Sequence, residues 1–300
     1  MSDKIGLRPD EPVGDTLRTL ARHILAEARE AIEDRERIEA VAVHDFRAAM
    51  KSWRAHLRLI EPFLEAEDLK LRIEARDLAR ALAGARDAQA ALDAVADAEG
   101  HTVSHRFSSQ SWETVRHKLD TLRATAETAS LTTGMRKRIR TALDHADARV
   151  ERWPLDPVTF PDVAENLRHG YRRARHAIPE NWRTATPHEL HELRTRVVVH
   201  RYQMEIVEPL WPRLGRSWVR EAQRLRTRLG RHNDLSVLAR YAEPHGPLAR
   251  WRSRLQSVIG QRQAQHVASA RRIAARLFAE KPKAFRNRLE AIWSGAADSR

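Results

Sequence analysis

The chain of 300 residues contains no cysteine. Disulfides, thiolate nucleophiles and cysteine-ligated zinc are thereby excluded, and a reducing compartment is compatible. Glycine is scarce, at 11 residues, and no segment alternates Val, Ile, Thr and aromatic residues as a strand would. Ala, Leu, Arg and Glu dominate, which predicts an all-α protein. No run of about 18 apolar residues occurs, and the opening MSDKIGLRPDEPVG lacks the apolar stretch of a signal peptide. A soluble cytoplasmic protein with no membrane partner is expected. The eight tryptophans are scattered rather than interleaved with cations, so they are read as packing and not as base-stacking platforms.

What is present in excess is positive charge. The formal net charge is +13 and the sequence pI is about 10.9, a balance that predicts a polyanionic partner: nucleic acid, a phosphate polymer or an anionic membrane surface. Arginine far outnumbers lysine, and a guanidinium gives phosphate two parallel hydrogen bonds. That preference counts only where arginines share a face.

One stretch provides such a face, and it occurs twice. VHDFRAAMKSWRAHLRLIEPFL, residues 43–64, falls without a gap on LHELRTRVVVHRYQMEIVEPLW, residues 190–211, at an offset of 147. His44 lands on His191, Arg47 on Arg194, Arg54 on Arg201, and Glu61-Pro62 on Glu208-Pro209. At 100° per residue, His44, Arg47, Lys51, Arg54 and Arg58 fall in a stripe about 80° wide. Phe46, Ala49, Met50, Trp53, Leu57 and Ile60 form a separate core face. No acid interrupts the stripe, whereas a solvated helix face ordinarily mixes signs. His200, opposite Trp53, is expected to be a satisfied core or interface histidine.

Helices are expected at 15–36 (with Asp15 as N-cap), 39–60, 66–83, 87–100, 111–129 and 133–152, before a boundary at Trp153–Pro157. Beyond it lies a helix capped by Asp162 that aligns Arg168, Arg172 and Arg175. The second motif helix runs from Pro187 to Pro209. Helices at 216–229 and 234–241 interrupted by glycine, a long basic helix at 248–279 and a short helix from Pro282 complete the chain. Asp87 and Asp234 are expected to cap helices or pair with arginines; Arg86 could point either way. Two related halves, approximately 7–153 and 158–288, would set the motif helices symmetrically, with residues 289–300 as a tail.

His44-Asp45 and His191-Glu192 admit other chemistry. His-Glu-x-Arg occurs on the phospho-accepting helix of histidine kinases, but no glycine-rich nucleotide-binding segment accompanies it. His-Asp occurs in metal-dependent phosphohydrolases, yet a divalent ion among five cations meets a Coulomb penalty. Histidine chelation lacks an i,i+4 His pair in either motif. No metal and no cofactor are expected. A phosphate ligand uses every residue of the stripe.

At these residues the sequence resembles the CHAD family, the conserved histidine α-helical domain. VHDFRAAMKSWRAHLRLIEPF, LARALAGARDAQAAL, LRHGYRRARHAI, LHELRTRVVVHRYQMEIVEP and RLRTRLGRHNDLSVLARY carry the likeness in the family's order, over residues 7–288 as a single domain. The resemblance implies two four-helix bundles with pseudo-two-fold symmetry around a basic central cavity or pore. It also implies non-catalytic binding of inorganic polyphosphate, with recruitment to polyphosphate granules. By position it assigns ligand contacts to His44, Arg47, Lys51 and Arg54, to His191, Arg194, Arg201 and Tyr202, and to Arg172 and Arg175. Val198 stands where a basic residue is usual, and Arg168 or Arg196 is expected to compensate. An N-terminal triphosphate-hydrolase domain of the CYTH type, found in some relatives, would have no room. Nucleic-acid binding is the alternative the charge permits, with DNA or RNA expected only as a weaker competitor; a phosphoanhydride-cleaving enzyme would need an acidic metal cluster the sequence does not offer.

Overall fold

A computed structural model describes residues 5–34, 36–82, 86–101, 107–127 and 131–298. These form eleven α-helices and no strand. In chain order they are α1 (Val13–Glu33), α2 (Glu39–Ile60), α3 (Lys70–Ala81), α4 (Arg86–Glu99), α5 (Ser109–Glu127), α6 (Thr133–Val150), α7 (Phe160–His176), α8 (Pro187–Val207), α9 (Pro212–Tyr241), α10 (Arg252–Leu277) and α11 (Pro282–Asp298).

The internal repeat extends beyond the motif. Moved by 147 residues, the start of α1 falls on that of α7, and α2 falls within one residue of α8. The same displacement sets α3 and α4 on the two ends of α9, α5 inside α10, and α6 on α11. Both motif helices close in a one-turn 3-10 helix at the Glu-Pro pair, Glu61–Phe63 and Glu208–Leu210, because proline supplies no N–H to continue the α-helical ladder. α8 begins with a capping box: Thr186 Oγ1 accepts from the Glu189 N–H at 3.2 Å, while the Thr186 N–H donates to Glu189 Oε2 at 2.8 Å.

Packing divides into two apolar cores, and both draw on both halves of the sequence. The larger is built from α1, α2, α3 and α6 together with α7, α8, α11 and the adjoining parts of α9 and α10. The smaller joins α4 and α5 to the C-terminal part of α9 and the N-terminal part of α10. The alanine-rich face of α4 (Ala91, Ala94 and Ala98 around Val95) is thin enough to let it lie close against α9. Trp53 is buried on α2 and stacks on Trp153, with centroids 5.8 Å apart, so the boundary between the halves is pinned to the first motif helix.

Several boundaries differ from expectation. α9 is continuous where a break at glycine was expected, since Gly230 costs about 1 kcal/mol in a helix interior and packing on both sides outweighs it. Asp234 consequently lies inside α9 and caps nothing. Thr159 is the N-cap of α7, with Asp162 accepting its N–H at 2.9 Å. α1 starts after Pro12, which places Asp15 in the first turn. α3 begins at Lys70 because residues 65–69 form turns, and the end of the 66–83 helix lies partly outside the described residues. Residues 289–298 are no tail: α11 continues to Asp298, Leu289 is buried, and Trp293 stacks on Phe160 at 4.2 Å.

Candidate anion-binding site

The core face of α2 packs inward as the periodicity requires, with Phe46, Met50, Trp53 and Ile60 all buried. The opposite stripe therefore cannot escape to open solvent: Arg47, Lys51, Arg54 and Arg58 are half-buried, and only His44 is exposed. Lys51 is the centre of this arrangement. Burial lowers its pKa to about 8, assisted by the guanidiniums of Arg226, Arg194, Arg47 and Arg86 in that order. Four helices supply those charges: α9, α8, α2 and α4. Lys51 makes no ion pair with any described residue.

Arg194 sits on the other side of the same cluster. Burial brings its pKa to about 10, with Arg226 and Arg86 adding repulsion and Asp234 opposing. Its side chain crosses α9 at Gly230, where an added Cβ would lie 3.5 Å from Nε, and that Nε is buried without a hydrogen-bond partner. Asp234 is itself pushed up by burial, an effect that Arg194 counters. Arg194 and Arg226 also wall a cavity of about 580 Å³ that reaches Asp93, Asp97 and Arg231. An alanine at 230 would be in ordinary contact with Arg194, so Gly230→Ala is expected to stabilise the protein by about 0.4–1 kcal/mol with binding unchanged. Thermal melts check this, and a lower Tm would show that Arg194 needs the closer approach.

One turn along α2 the positive surface continues. Arg54 is lowered by burial and then by Arg76, Arg72 and Arg80, which stand at i, i+4 and i+8 along α3. Arg58 is brought to about 10 by burial, then by Arg54, Arg72 and Arg196, with Glu61 opposing. Arg173 on α7 is depressed by burial and by Arg196. Arg172 and Arg173 line a smaller hollow, about 220 Å³, with Arg58 and His169. Arg47 donates to the Leu82 carbonyl at 3.0 Å, which anchors it at the C-terminus of α3. The Arg54 Nε, like that of Arg194, is buried without a partner.

The expected residues thus fall into two groups. Arg47, Lys51, Arg54, Arg58 and Arg194 converge, and Arg86 joins them; Arg196 lies near Arg58 but its Nε donates to Glu192 at 2.8 Å, and Arg172 reaches the far end. His191 is exposed beside Arg194 and Arg86; desolvation and these two charges lower its pKa, while a hydrogen bond with Asn233 opposes. Other side chains are engaged within the protein. Arg168 pairs with Glu165, its Nε 2.9 Å away, and Glu165 also accepts from Arg286. Arg175 stands near Tyr171, whose phenol is buried against the Glu280 carbonyl. Arg201 donates to Glu205 at 2.6 Å and lies 3.9 Å over the ring of Tyr202. The Tyr202 hydroxyl donates to the Ala48 carbonyl at 3.3 Å, tying α8 to α2. His200 is buried against Tyr171, Phe278 and Phe285, and burial lowers its pKa to about 4, so it is a neutral core residue.

Residues that the sequence pattern did not single out extend the surface, although Arg72 donates to Glu61 at 2.8 Å and Arg76 to Asp77 at 2.9 Å. Arg72, Arg76 and Arg80 were hidden by Glu74 and Asp77 between them, although their spacing of four marks one helix face. Arg226 sits among Arg224 and Arg228, and nothing in that alternation distinguishes it. Among the described residues, no group of three or more His, Asp or Glu is placed to hold a metal ion, and no helix is long and apolar enough to cross a membrane.

The fold is shared with known proteins. The CHAD domain family profile matches residues 15–243, and the chain belongs to the CHAD domain family. Two solved structures share its fold. The CHAD domain from the plant Ricinus communis is 16% identical, with a TM-score of 0.59 over 97% of this chain and 96% of that one. PptA from Streptomyces chartreusis is 19% identical, with a TM-score of 0.64 over 90% of this chain and all of that one. No curated protein matches in sequence. The α10 and α11 helices lie beyond the family match, yet they pack into the same two cores.

Proposed function

We propose that this protein binds inorganic polyphosphate along the cationic track of α2, holds it without cleaving it, and is thereby recruited to polyphosphate granules. The observation that carries the reading is the half-buried Lys51 near four guanidiniums, with no carboxylate among the described residues pairing it. Cations gathered at this density repel one another, and an anion in their midst reverses that cost. Arginines donate in pairs to successive phosphates, and Lys51 adds a mobile point charge. The CHAD membership and the fold support the ligand class.

The deciding experiment is binding of long-chain polyphosphate near physiological salt, with excess duplex DNA as competitor. Tight, competitor-resistant binding is expected, and displacement by the DNA would reduce the track to a generic basic surface. Affinity should fall with salt at a log–log slope of roughly −0.7 per phosphate engaged, so engaging about five phosphates gives roughly −3 to −4. A flat salt response would sink the electrostatic site. Phosphate release from polyphosphate in the presence of Mg²⁺ or Mn²⁺ would overturn the non-catalytic reading.

Binding should also be proton-linked. Phosphate beside Lys51 raises a pKa that stands near 8 in the free protein, so the complex takes up a proton above that pH. Affinity is therefore expected to be level just below pH 8 and to fall above it, by up to about tenfold per pH unit. Lys51→Arg should flatten this limb, because arginine stays charged. His191, held low in the free protein, produces the same sign of change in the acidic range. Isothermal titration in two buffers of different ionisation enthalpy measures the proton uptake directly, and none at pH 8.5 would remove Lys51 from the ligand-binding set.

A further inference from the structure

The same cluster has a chemical consequence beyond holding a polymer. We propose that Lys51 is a modification site, an amine acylated by small acyl phosphates that the surrounding arginines bind by their phosphate group. This rests on the phosphate-binding reading of the track.

Three observations lead there. Lys51 is half-buried on α2 with no ion-pair partner among the described residues, unlike Lys70, which pairs with Glu67 at 2.7 Å. Arg47, Arg86, Arg194 and Arg226 surround it from four helices, a geometry suited to a phosphate dianion placed next to the amine. In the free protein, with its pKa near 8, the amine is neutral in a fraction on the order of a hundredfold larger at pH 7.5 than that of an exposed lysine; a seated phosphate draws that pKa back up, so positioning beside the arginines carries the selectivity. An acyl phosphate seated by its phosphate presents its carbonyl carbon to this nitrogen, and such positioning replaces a bimolecular encounter with a local one.

The step balances without any further reagent. The Lys51 nitrogen forms a bond to the carbonyl carbon, the bond between that carbon and the bridging oxygen breaks, and the leaving phosphate takes the proton lost from nitrogen. The products are an amide at Lys51 and inorganic phosphate. The amide has no charge, so modification removes the central cation of the track, and bound polyphosphate in turn shields the amine. Polymer binding and acylation exclude each other.

The test is incubation of the full chain with acetyl phosphate at pH 7.5, with and without long-chain polyphosphate, followed by site-resolved mass spectrometry. Lys51 should be acetylated at least tenfold faster than the exposed Lys137 and Lys283, and saturating polyphosphate should suppress it at least tenfold. N-hydroxysuccinimide acetate, an acetyl donor without a phosphate, should show a several-fold smaller preference for Lys51. Arg226→Gln should slow acetyl phosphate labelling of Lys51 while circular dichroism confirms retained helix. Labelling of Lys51 no faster than Lys137, or an equal preference with both donors, overturns the proposal even if the unmodified protein binds polyphosphate. Selective labelling in a protein that fails to bind polyphosphate would uphold it and sink the polymer reading instead.

Discussion

Arg47→Glu combined with Arg194→Glu is expected to abolish polyphosphate binding, with affinity falling at least a hundredfold, while helical content stays unchanged. Removing a guanidinium–phosphate hydrogen bond costs about 1.5–3 kcal/mol, and each new carboxylate repels the ligand and pairs Lys51. The fold should survive, because both arginines are lowered by burial and by other cations, so reversal relieves repulsion within the free protein. The matched control is Arg213→Glu with Arg216→Glu, which changes net charge equally on an exposed face of α9. If the control weakens binding as much as the test pair does, net charge and not the α2 track governs binding. Retained affinity in the test pair would sink the assigned track.

Asp97→Ala is expected to be the most destabilising substitution outside the apolar cores, by roughly 3–5 kcal/mol. Asp97 accepts two hydrogen bonds from Arg262, both at 2.8 Å, and one from His266 Nε2 at 2.7 Å. Arg231 stands 3.3 Å from Asp97 Oδ1. Its partners are inaccessible, with side-chain exposures of 8% for Arg262 and 1% for His266, so truncation leaves a buried guanidinium uncompensated. A fall in Tm on the order of 10 °C follows; a change under 2 °C would show that Arg262 finds another partner. Burial alone would raise the Asp97 carboxyl, but the Arg262 and His266 hydrogen bonds outweigh it and hold it well below the usual range. A depressed folded pKa contributes stability that is present above the unfolded value near 3.9 and lost as pH falls below it. The acid limb of the wild-type stability profile should therefore be shallower in the variant.

The sequence made the α2 track legible because one helix carries four of its residues at regular spacing, and periodicity is a property of a single helix. The rest of the site is assembled across helices. Arg72, Arg76 and Arg80 lie near Arg54 because α3 packs on α2, while Glu74 turns to His145 and Asp77 pairs with Arg76; the linear order mixes them. Arg168 and Arg175 share a face of α7 as the wheel shows, but that face meets α11, whose Arg286 shares Glu165 with Arg168. The second motif is weaker than its repetition suggests. Val198 replaces Lys51, and Glu205, at the position of Arg58, takes up Arg201. Helix boundaries set by proline were readable, whereas the capping aspartates were not: Asp15 lies in the first turn of α1 and Thr159 precedes Asp162 as the cap of α7. The continuity of α9 was not, since a mid-helix glycine costs about 1 kcal/mol, which packing on both sides exceeds.

The unbroken α9 has a consequence for how the molecule comes apart. Its N-terminal part gives Leu225 and Leu229 to the larger core, and its C-terminal part gives Leu235 and Leu238 to the smaller. Neither core can lose its order without stripping one end of a 30-residue helix whose other end is still clamped. The two cores are thereby fused into one cooperative unit, and heat should melt them in a single transition.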